Sequence, residues 1–427
     1  MAMRLQDLVV QVPHILQTVD PGSLGPLLAT CTELRQHVHQ HVTKISVVAD
    51  SDILQLSTLD LSERPAPSIT QAHKLKYNSW PQLKVLDLTD SRIGPAGVAQ
   101  LIKSNLASLQ HLRLQGNRLG SAGVKQLTQG NCPQLISLDL QSNSLNAAAL
   151  SELASVCWPS LQNLSLGKNE LSAMAVSHLL KGNWPNLQHL DLSHNSLTHE
   201  AVSYLVKCQL TQLADLDLSV NRIGIEGVEQ LVQADWPLLQ RLWLGNNKGV
   251  QTAAIQLLTT ASWPQLNTLD VSCNKLDAKA MMYLRKGGWP LMQRLDLFTN
   301  RLEAAGVREL AMGSWPLLMH LDLTVNDVDA EAISELVKGS WPLLKVLHVS
   351  NVKLDTVAVS QLILGKWPVL ETLSLRFGRF NMETLQQLVK ADWPMLHHLD
   401  LMFSKVSSLQ ARALLLDKWP LLDTLAL

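Results

Sequence analysis

The chain has 427 residues, 46% of them apolar, with 35 Lys plus Arg against 36 Asp plus Glu. That balance offers no bulk charge to attract nucleic acid or an anionic membrane, and no apolar run approaches the ~18 residues of a membrane span. The five Cys (Cys31, Cys132, Cys157, Cys208 and Cys273) are odd in number and scattered. Asp7, Gln11 and His14 interrupt any signal peptide, so a reducing, cytoplasmic or nuclear setting is predicted.

Residues 1–43 read as a small helical head. Leu5, Leu8, Val9, Val12, Ile15 and Leu16 form a first apolar segment, Asp20-Pro21-Gly22 breaks it, and Leu24, Leu27, Leu28, Cys31, Leu34 and Val38 recur three and four apart. The run His14 to Leu24, followed by Leu28, Cys31 and Leu34-Arg35, resembles the F-box. It lacks the usual Leu-Pro before the first helix and has Leu34 where that family often has Trp. The resemblance implies that Ile15, Leu16, Leu24 and Leu28 bind the Skp-type adaptor of a cullin-type ubiquitin ligase. Read without it, the same segment is a helical cap on the open end of a repeat array. Residues 44–79 read as an irregular capping unit. Ile45–Val47 suits a first strand, Leu56, Leu59 and Leu61 imitate the spacing of the later repeats, and Arg64-Pro65-Ala66-Pro67 is a loop.

From residue 80 to 427 one pattern repeats. Trp-Pro occurs at Trp80, Trp158, Trp184, Trp236, Trp263, Trp289, Trp315, Trp341, Trp367, Trp393 and Trp419. Adding Leu106, Cys132 and Leu210, which hold the same place, gives fourteen units about 26 residues long, and such a period means a solenoid. In the unit starting at Trp315, Leu321 and Leu323 alternate with Asp322, so the two Leu point inward and Asp322 outward. The strand ends at Asn326. Asn117, Asn143, Asn169, Asn195, Asn221, Asn247, Asn274 and Asn300 share that place, and their amides suit backbone groups of neighbouring turns that would otherwise be buried unpaired.

A helix should follow each Asn, with small residues where it approaches the sheet (Gly97, Gly123, Ala149, Gly227, Ala280, Gly306, Ala332). Gly130, Gly182, Gly287, Gly313, Gly339 and Gly365 suit the left-handed position past its end. The Trp read as core spacers. This Leu-x-x-Leu-x-Leu-x-x-Asn pattern resembles the leucine-rich repeat, and a helix in every unit resembles the ribonuclease-inhibitor subclass. The resemblance implies an α/β solenoid, a right-handed horseshoe with a parallel sheet on its concave side.

Function should sit on outward positions. Asp87, Asp139, Asp191, Asp217, Asp270, Asp296, Asp322 and Asp400 form an acidic row on the concave sheet, and Arg92, Arg118, Arg222, Lys275, Arg301, Lys353, Arg379 and Lys405 form a basic row on one rim. Like charges ~4.8 Å apart are costly without counter-charges, so a basic partner segment is expected to relieve the acidic row. Trp243 replaces one of its Asp. Phe298, Phe377 and Phe403 fall at strand exits, whereas Phe380 takes an inward place. Val352, Gly378 and Ser404 replace the Asn, and His348, Arg376 and Met402 stand nearby. Aromatics with Arg on an exposed face resemble an interface hot spot.

His189/Asp191, His320/Asp322 and His398/Asp400 lie two apart on one strand, but no nucleophile matches them. His397-His398 puts one ring in and one out. With no phosphate loop or metal spacing, neither catalysis nor a cofactor is expected. The last unit stops at Leu427 inside its strand, which predicts an edge open to a partner or a second copy.

Three functions are compatible: an F-box-type ligase subunit holding its target on the concave face, a scaffold without ligase role, and a ribonuclease-inhibitor-like blocker of a basic enzyme.

Overall fold

The computed structural model describes residues 58–60 and 83–427, except 105, 351–353, 405, 407 and 408. The F-box-like head with Ile15, Leu16, Leu24 and Leu28, most of the capping unit, and Trp80, Val352, Lys353 and Lys405 lie outside these residues. The chain divides into two compact units, Met1–Leu187 and Gln188–Leu427.

In the first unit the order is β1 (Thr58–Asp60), β2 (Val85–Asp87), α1 (Gly94–Leu101), β3 (His111–Arg113), α2 (Gly120–Leu127), β4 (Ser137–Asp139), α3 (Ala147–Ala154), β5 (Asn163–Ser165) and α4 (Ala173–Leu179). The strands pair in parallel in sequence order, with Leu59, Leu86, Leu112, Leu138 and Leu164 in one register.

The second unit continues with β6 (His189–Asp191), α5 (His199–Leu205), β7 (Asp215–Asp217), α6 (Gly224–Leu231), β8 (Arg241–Trp243), α7 (Thr252–Leu258), β9 (Thr268–Asp270) and α8 (Ala278–Leu284). Then come β10 (Arg294–Asp296), α9 (Glu303–Ala311), β11 (His320–Asp322), α10 (Ala330–Leu336), β12 (Val346–His348) and α11 (Thr356–Leu362). It ends with β13 (Thr372–Ser374), α12 (Met382–Leu388), β14 (His398–Asp400), α13 (Leu409–Lys418) and β15 (Thr424–Ala426). Here too each strand pairs in parallel with the next, Leu opposite Leu.

From β2 to β14 each strand is one buried Leu between two outward residues. Leu295, Leu297, Leu321 and Leu323 are fully buried, each stabilising by roughly 1.5–3 kcal/mol relative to exposure. The Trp of the Trp-Pro pairs from Trp158 to Trp419 are buried as expected. In the late repeats they stack, Trp367 on Trp393 and Trp393 on Trp419, each with centroids 6.1 Å apart.

The Asn ladder forms as the sequence predicts. The Asn117 amide donates to the carbonyls of Leu88 at 2.7 Å and Leu114 at 2.9 Å, while the Asn143 carbonyl oxygen accepts from Asn117 N–H at 2.9 Å. Asn143, Asn169, Asn221, Asn247, Asn300 and Asn326 likewise bind both their own turn and the preceding one, which fixes the register of successive strand exits. Side chains also start several helices. Asp277, Asp329, Asp355 and Asn381 accept the N–H three residues on, saturating a donor the helix leaves free.

Two expectations about small residues need correction. Gly130, Gly182, Gly287, Gly313, Gly339 and Gly365 are not left-handed; the helices close instead with tight turns such as Gly313 N–H to Leu310 O. At all of them except Gly130, which faces Ile102, glycine is needed because the ring of the Trp two residues on lies against it. A Cβ on Gly313 would sit 2.3 Å from the Trp315 indole nitrogen, and one on Gly339 2.5 Å from the Trp341 ring. At the small mid-helix positions the close neighbour is not the sheet. A Cβ on Gly306 would meet Leu302 of its own repeat at 2.9 Å and Cα of Ala278 on the preceding helix at 3.5 Å.

Candidate protein-interaction face

Residues on either side of each buried strand Leu face away from the helices. In the second unit, register lines them into two columns. One holds His189, Asp215, Arg241, Thr268, Arg294 and His320, and the other holds Asp191, Asp217, Trp243, Asp270, Asp296, Asp322 and His348. The expected acidic row exists, but it is half-buried rather than open, and Asp296 is only 8% exposed.

Nor is that row left without counter-charges, as the sequence suggests. Arg294 Nε donates to Asp296 at 2.8 Å and Arg376 Nε to Asp400 at 2.5 Å, while in the adjoining column Arg241 Nε donates to Asp215 at 2.8 Å. His348 Nδ1 lies 3.4 Å from Asp322. His320 Nε2 lies 3.1 Å from Asp296 without hydrogen-bond alignment, its ring edge-on to His348. The Asp also act locally. Asp217, Asp270 and Asp322 each accept the N–H two residues on at 2.8 Å, which pins the strand exit.

Neighbours split the titration of these carboxyls. Burial alone raises Asp215, but hydrogen bonds from His189 and Trp243 and the charge of Arg241 outweigh it, and the net shift is downward. Asp322 is lowered in the same way, burial being overcome by His348 and Thr324. Asp217 has no such cation. Burial, reinforced by Asp191 and Asp270, pushes it up to about 6 despite the Ser219 bonds. Asp270 is also raised, by burial first and then by Asp296.

Trp243 is fixed rather than free. Its indole N–H donates to Asp215 at 2.8 Å and Arg294 lies 5.9 Å from its ring centre, which holds the half-buried indole in the sheet face.

The aromatic residues at the strand exits behave differently. Phe298 is 40%, Phe377 44% and Phe403 65% exposed, whereas Phe380 is buried. Phe377 and Phe403 stack with centroids 4.7 Å apart and planes 5° from parallel. Both sit at positive φ, 61° and 62°. That position is left-handed throughout the array, as at Lys168, His194 and Val220, so the turn imposes the conformation whatever residue occupies it.

Arg376 shares this end of the sheet through its bond to Asp400. Structure therefore brings Arg376, Phe377 and Phe403 together on β13 and β14. Phe298 follows β10, three strands away, His348 belongs to β12, and Trp243 lies on β8.

The His–Asp contacts run across strands, His189 to Asp215 and His320 to Asp296, rather than within one. Of His397 and His398, one of them expected inward, neither is buried: His397 is half-exposed, 3.2 Å from Asp423, and His398 is exposed. Among the described residues no group of three or more His, Cys, Asp or Glu is arranged to hold a metal, and no helix is long and apolar enough to cross a membrane.

Sequence reasoning missed the His189–Asp215–Arg241 network. A signal existed in the 26-residue steps between those three positions.

Residues 186–208 and residues 105–127 match two family descriptions, both of the leucine-rich repeat. Comparison with curated proteins gives no match. Among solved structures, the chain is similar to the internalin InlF of Listeria monocytogenes, with 18% identity over 78% of this chain and 94% of that one (TM-score 0.43). It is also similar to a chain from the yeast Rad7 and Elc1 complex, with 16% identity over 95% of this chain and 89% of that one (TM-score 0.50). At these identities the likeness concerns the fold, an open parallel leucine-rich-repeat solenoid.

Proposed function

We propose that this leucine-rich-repeat chain is a protein-binding adaptor, its target held on the open sheet face and strand-exit edge of the second unit. The stacked, exposed pair Phe377 and Phe403 beside Arg376 carries the reading. Apolar rings held in water are unfavourable in the free chain, and a partner that covers them recovers the energy of that exposure. The same observation favours a partner over decay of the repeat, because the Leu beneath the patch stay fully buried at Leu373, Leu375 and Leu401.

The specific role we propose is the substrate-recognition subunit of an F-box, cullin-type ubiquitin ligase, acting in the cytoplasm or nucleus. Two observations support it. The segment from His14 to Arg35 resembles the F-box, and a chain of similar fold comes from a complex with a second protein.

The test is binding of a purified Skp-type adaptor to the full chain and to Leu16→Asp/Leu24→Asp. Binding that is lost in the variant, with circular dichroism unchanged, supports the ligase role. An intact chain that does not bind the adaptor leaves a scaffold without ligase function. The inhibitor alternative is weaker, since Arg294 and Arg376 already pair with Asp296 and Asp400 of the acidic row.

A further inference from the structure

The turn after each strand carries a second ordered feature, along the edge to which the Phe pair belongs. Arg222, Lys248, Lys275 and Arg301 follow Asn221, Asn247, Asn274 and Asn300 on four successive repeats, and all four are exposed. The buried Asn fix their spacing: Asn247 N–H donates to Asn274 Oδ1 at 2.8 Å and Asn274 N–H to Asn300 Oδ1 at 3.1 Å. Arg222 and Arg301 are tied further through their own N–H groups, to Leu197 O and Leu276 O at 2.8 Å. The four charges are therefore stacked at about the ~4.8 Å strand repeat.

Among the described residues none of the four forms an ion pair, whereas the sheet-face cations Arg241, Arg294, Lys345 and Arg376 each hold a carboxylate. A fixed ladder of like charges without counter-ions favours an anionic occupant. Further along, the same turn position holds the exposed Asp327 and Arg379, and the strand exits carry Phe298, Val325, Phe377 and Phe403, all at least 40% exposed.

We propose that the strand-exit edge of the second unit binds an extended protein segment with an acidic half, lying on Arg222, Lys248, Lys275 and Arg301, and an apolar half, lying on Phe298, Val325, Phe377 and Phe403. This rests on the protein-binding reading above and names the partner's chemistry. From β7 to β14 the edge covers seven strand steps, roughly 34 Å, the length of about ten extended residues. A single-stranded nucleic acid also suits cations and aromatic rings. A peptide is favoured because Asp217, Asp270 and Asp296 lie on the strands that lead into these turns and repel a continuous phosphate backbone. A peptide places its charges only over the turns.

Fluorescence anisotropy tests this on the full chain. The probes are labelled peptides of about twelve residues, half alternating Glu and Ser and half Leu and Phe, made in both orders, with a Lys-for-acid counterpart and an oligothymidylate of similar length. We expect at least one acidic–apolar peptide to bind and the Lys counterpart not to. Arg222→Glu/Lys248→Glu/Lys275→Glu should weaken binding by about tenfold or more, with the larger loss at low salt. Phe377→Asn/Phe403→Asn should weaken it independently. All five side chains are exposed, and unchanged circular dichroism checks the fold.

No peptide binding up to about 1 mM, binding that neither variant weakens, or preference for the oligothymidylate would each overturn the proposal. The adaptor assay uses other residues. Adaptor binding that persists while every peptide fails removes this inference and leaves the ligase reading standing.

Discussion

Asp217→Asn should stabilise the second unit at neutral pH and have no such effect in acid. Asp217 ionises about two pH units above its ordinary 3.8, at about 6, because burial and the neighbouring Asp191 and Asp270 oppose its charge. At 1.36 kcal/mol per pH unit, keeping it ionised costs up to about 3 kcal/mol, or about 2 once screening of its half-buried carboxylate is allowed for. The folded chain holds this proton more tightly than the unfolded chain. Stability is therefore intact below pH ~4 and is lost as pH rises through about 6. Asn removes the charge, and its Oδ1 still accepts the Ser219 N–H, 2.8 Å from the carboxylate in the present structure. Hydrogen exchange reports the effect locally, at Leu218 N–H, which donates to Trp243 O at 2.9 Å. Its protection should rise roughly thirtyfold at pH 7.5, the equivalent of ~2 kcal/mol, and stay unchanged at pH 3.5. Equal protection of variant and parent at pH 7.5, or a loss there, would refute the account of Asp217 as a strained charge.

Two further outcomes separate the frame from the edge. Asn326→Ala strips the amide bonds to Leu297 O at 2.7 Å and Leu323 O at 3.1 Å and the acceptor for Asn300 N–H at 3.1 Å. With these groups buried, urea unfolding should show a loss of about 3 kcal/mol or more; a loss under ~1 kcal/mol would mean that the ladder is dispensable. Phe377→Asn/Phe403→Asn relieves two bulky residues at φ 61° and 62° by about 1 kcal/mol each and gives up a stacking contact worth ~0.5–1.5 kcal/mol. Its unfolding midpoint should therefore stay within the equivalent of ~1 kcal/mol of the parent, and a large drop would return the rings to a structural role.

The frame was legible because it depends on spacing alone. Leu321 and Leu323 two apart, and Asn326 three further on, determine what is buried and which amides meet, and those positions recur too often to misread. Glycine was misread because its identity carries two reasons at once. At Gly313 the reason is the Trp315 ring rather than a left-handed φ, and a period cannot distinguish them. The left-handed turns were invisible, since Lys168, His194 and Val220 share no chemistry. The acidic row misled for a different reason. Asp87 meets Arg113 26 residues later and Asp400 meets Arg376 24 residues earlier, so the neutralisation appears only when successive repeats are laid side by side.

That pairing decides where recognition falls. On the sheet face Asp215 holds Arg241 and Trp243, Asp296 holds Arg294, and Asp400 holds Arg376, so a partner there must break existing bonds before making its own. Along the strand exits Lys248, Lys275, Phe377 and Phe403 have no internal contact of comparable strength to give up, apart from the stacking of the two rings. A partner gains most per residue where the chain loses least. Substitutions at Asp296 or Arg294 should therefore act chiefly on stability, and substitutions at the exits chiefly on affinity. Asp217 is the exception on the face. It is a carboxylate held above its ordinary pKa with no cation against it, and a partner's Lys or Arg placed there would recover the energy that Asp217→Asn releases.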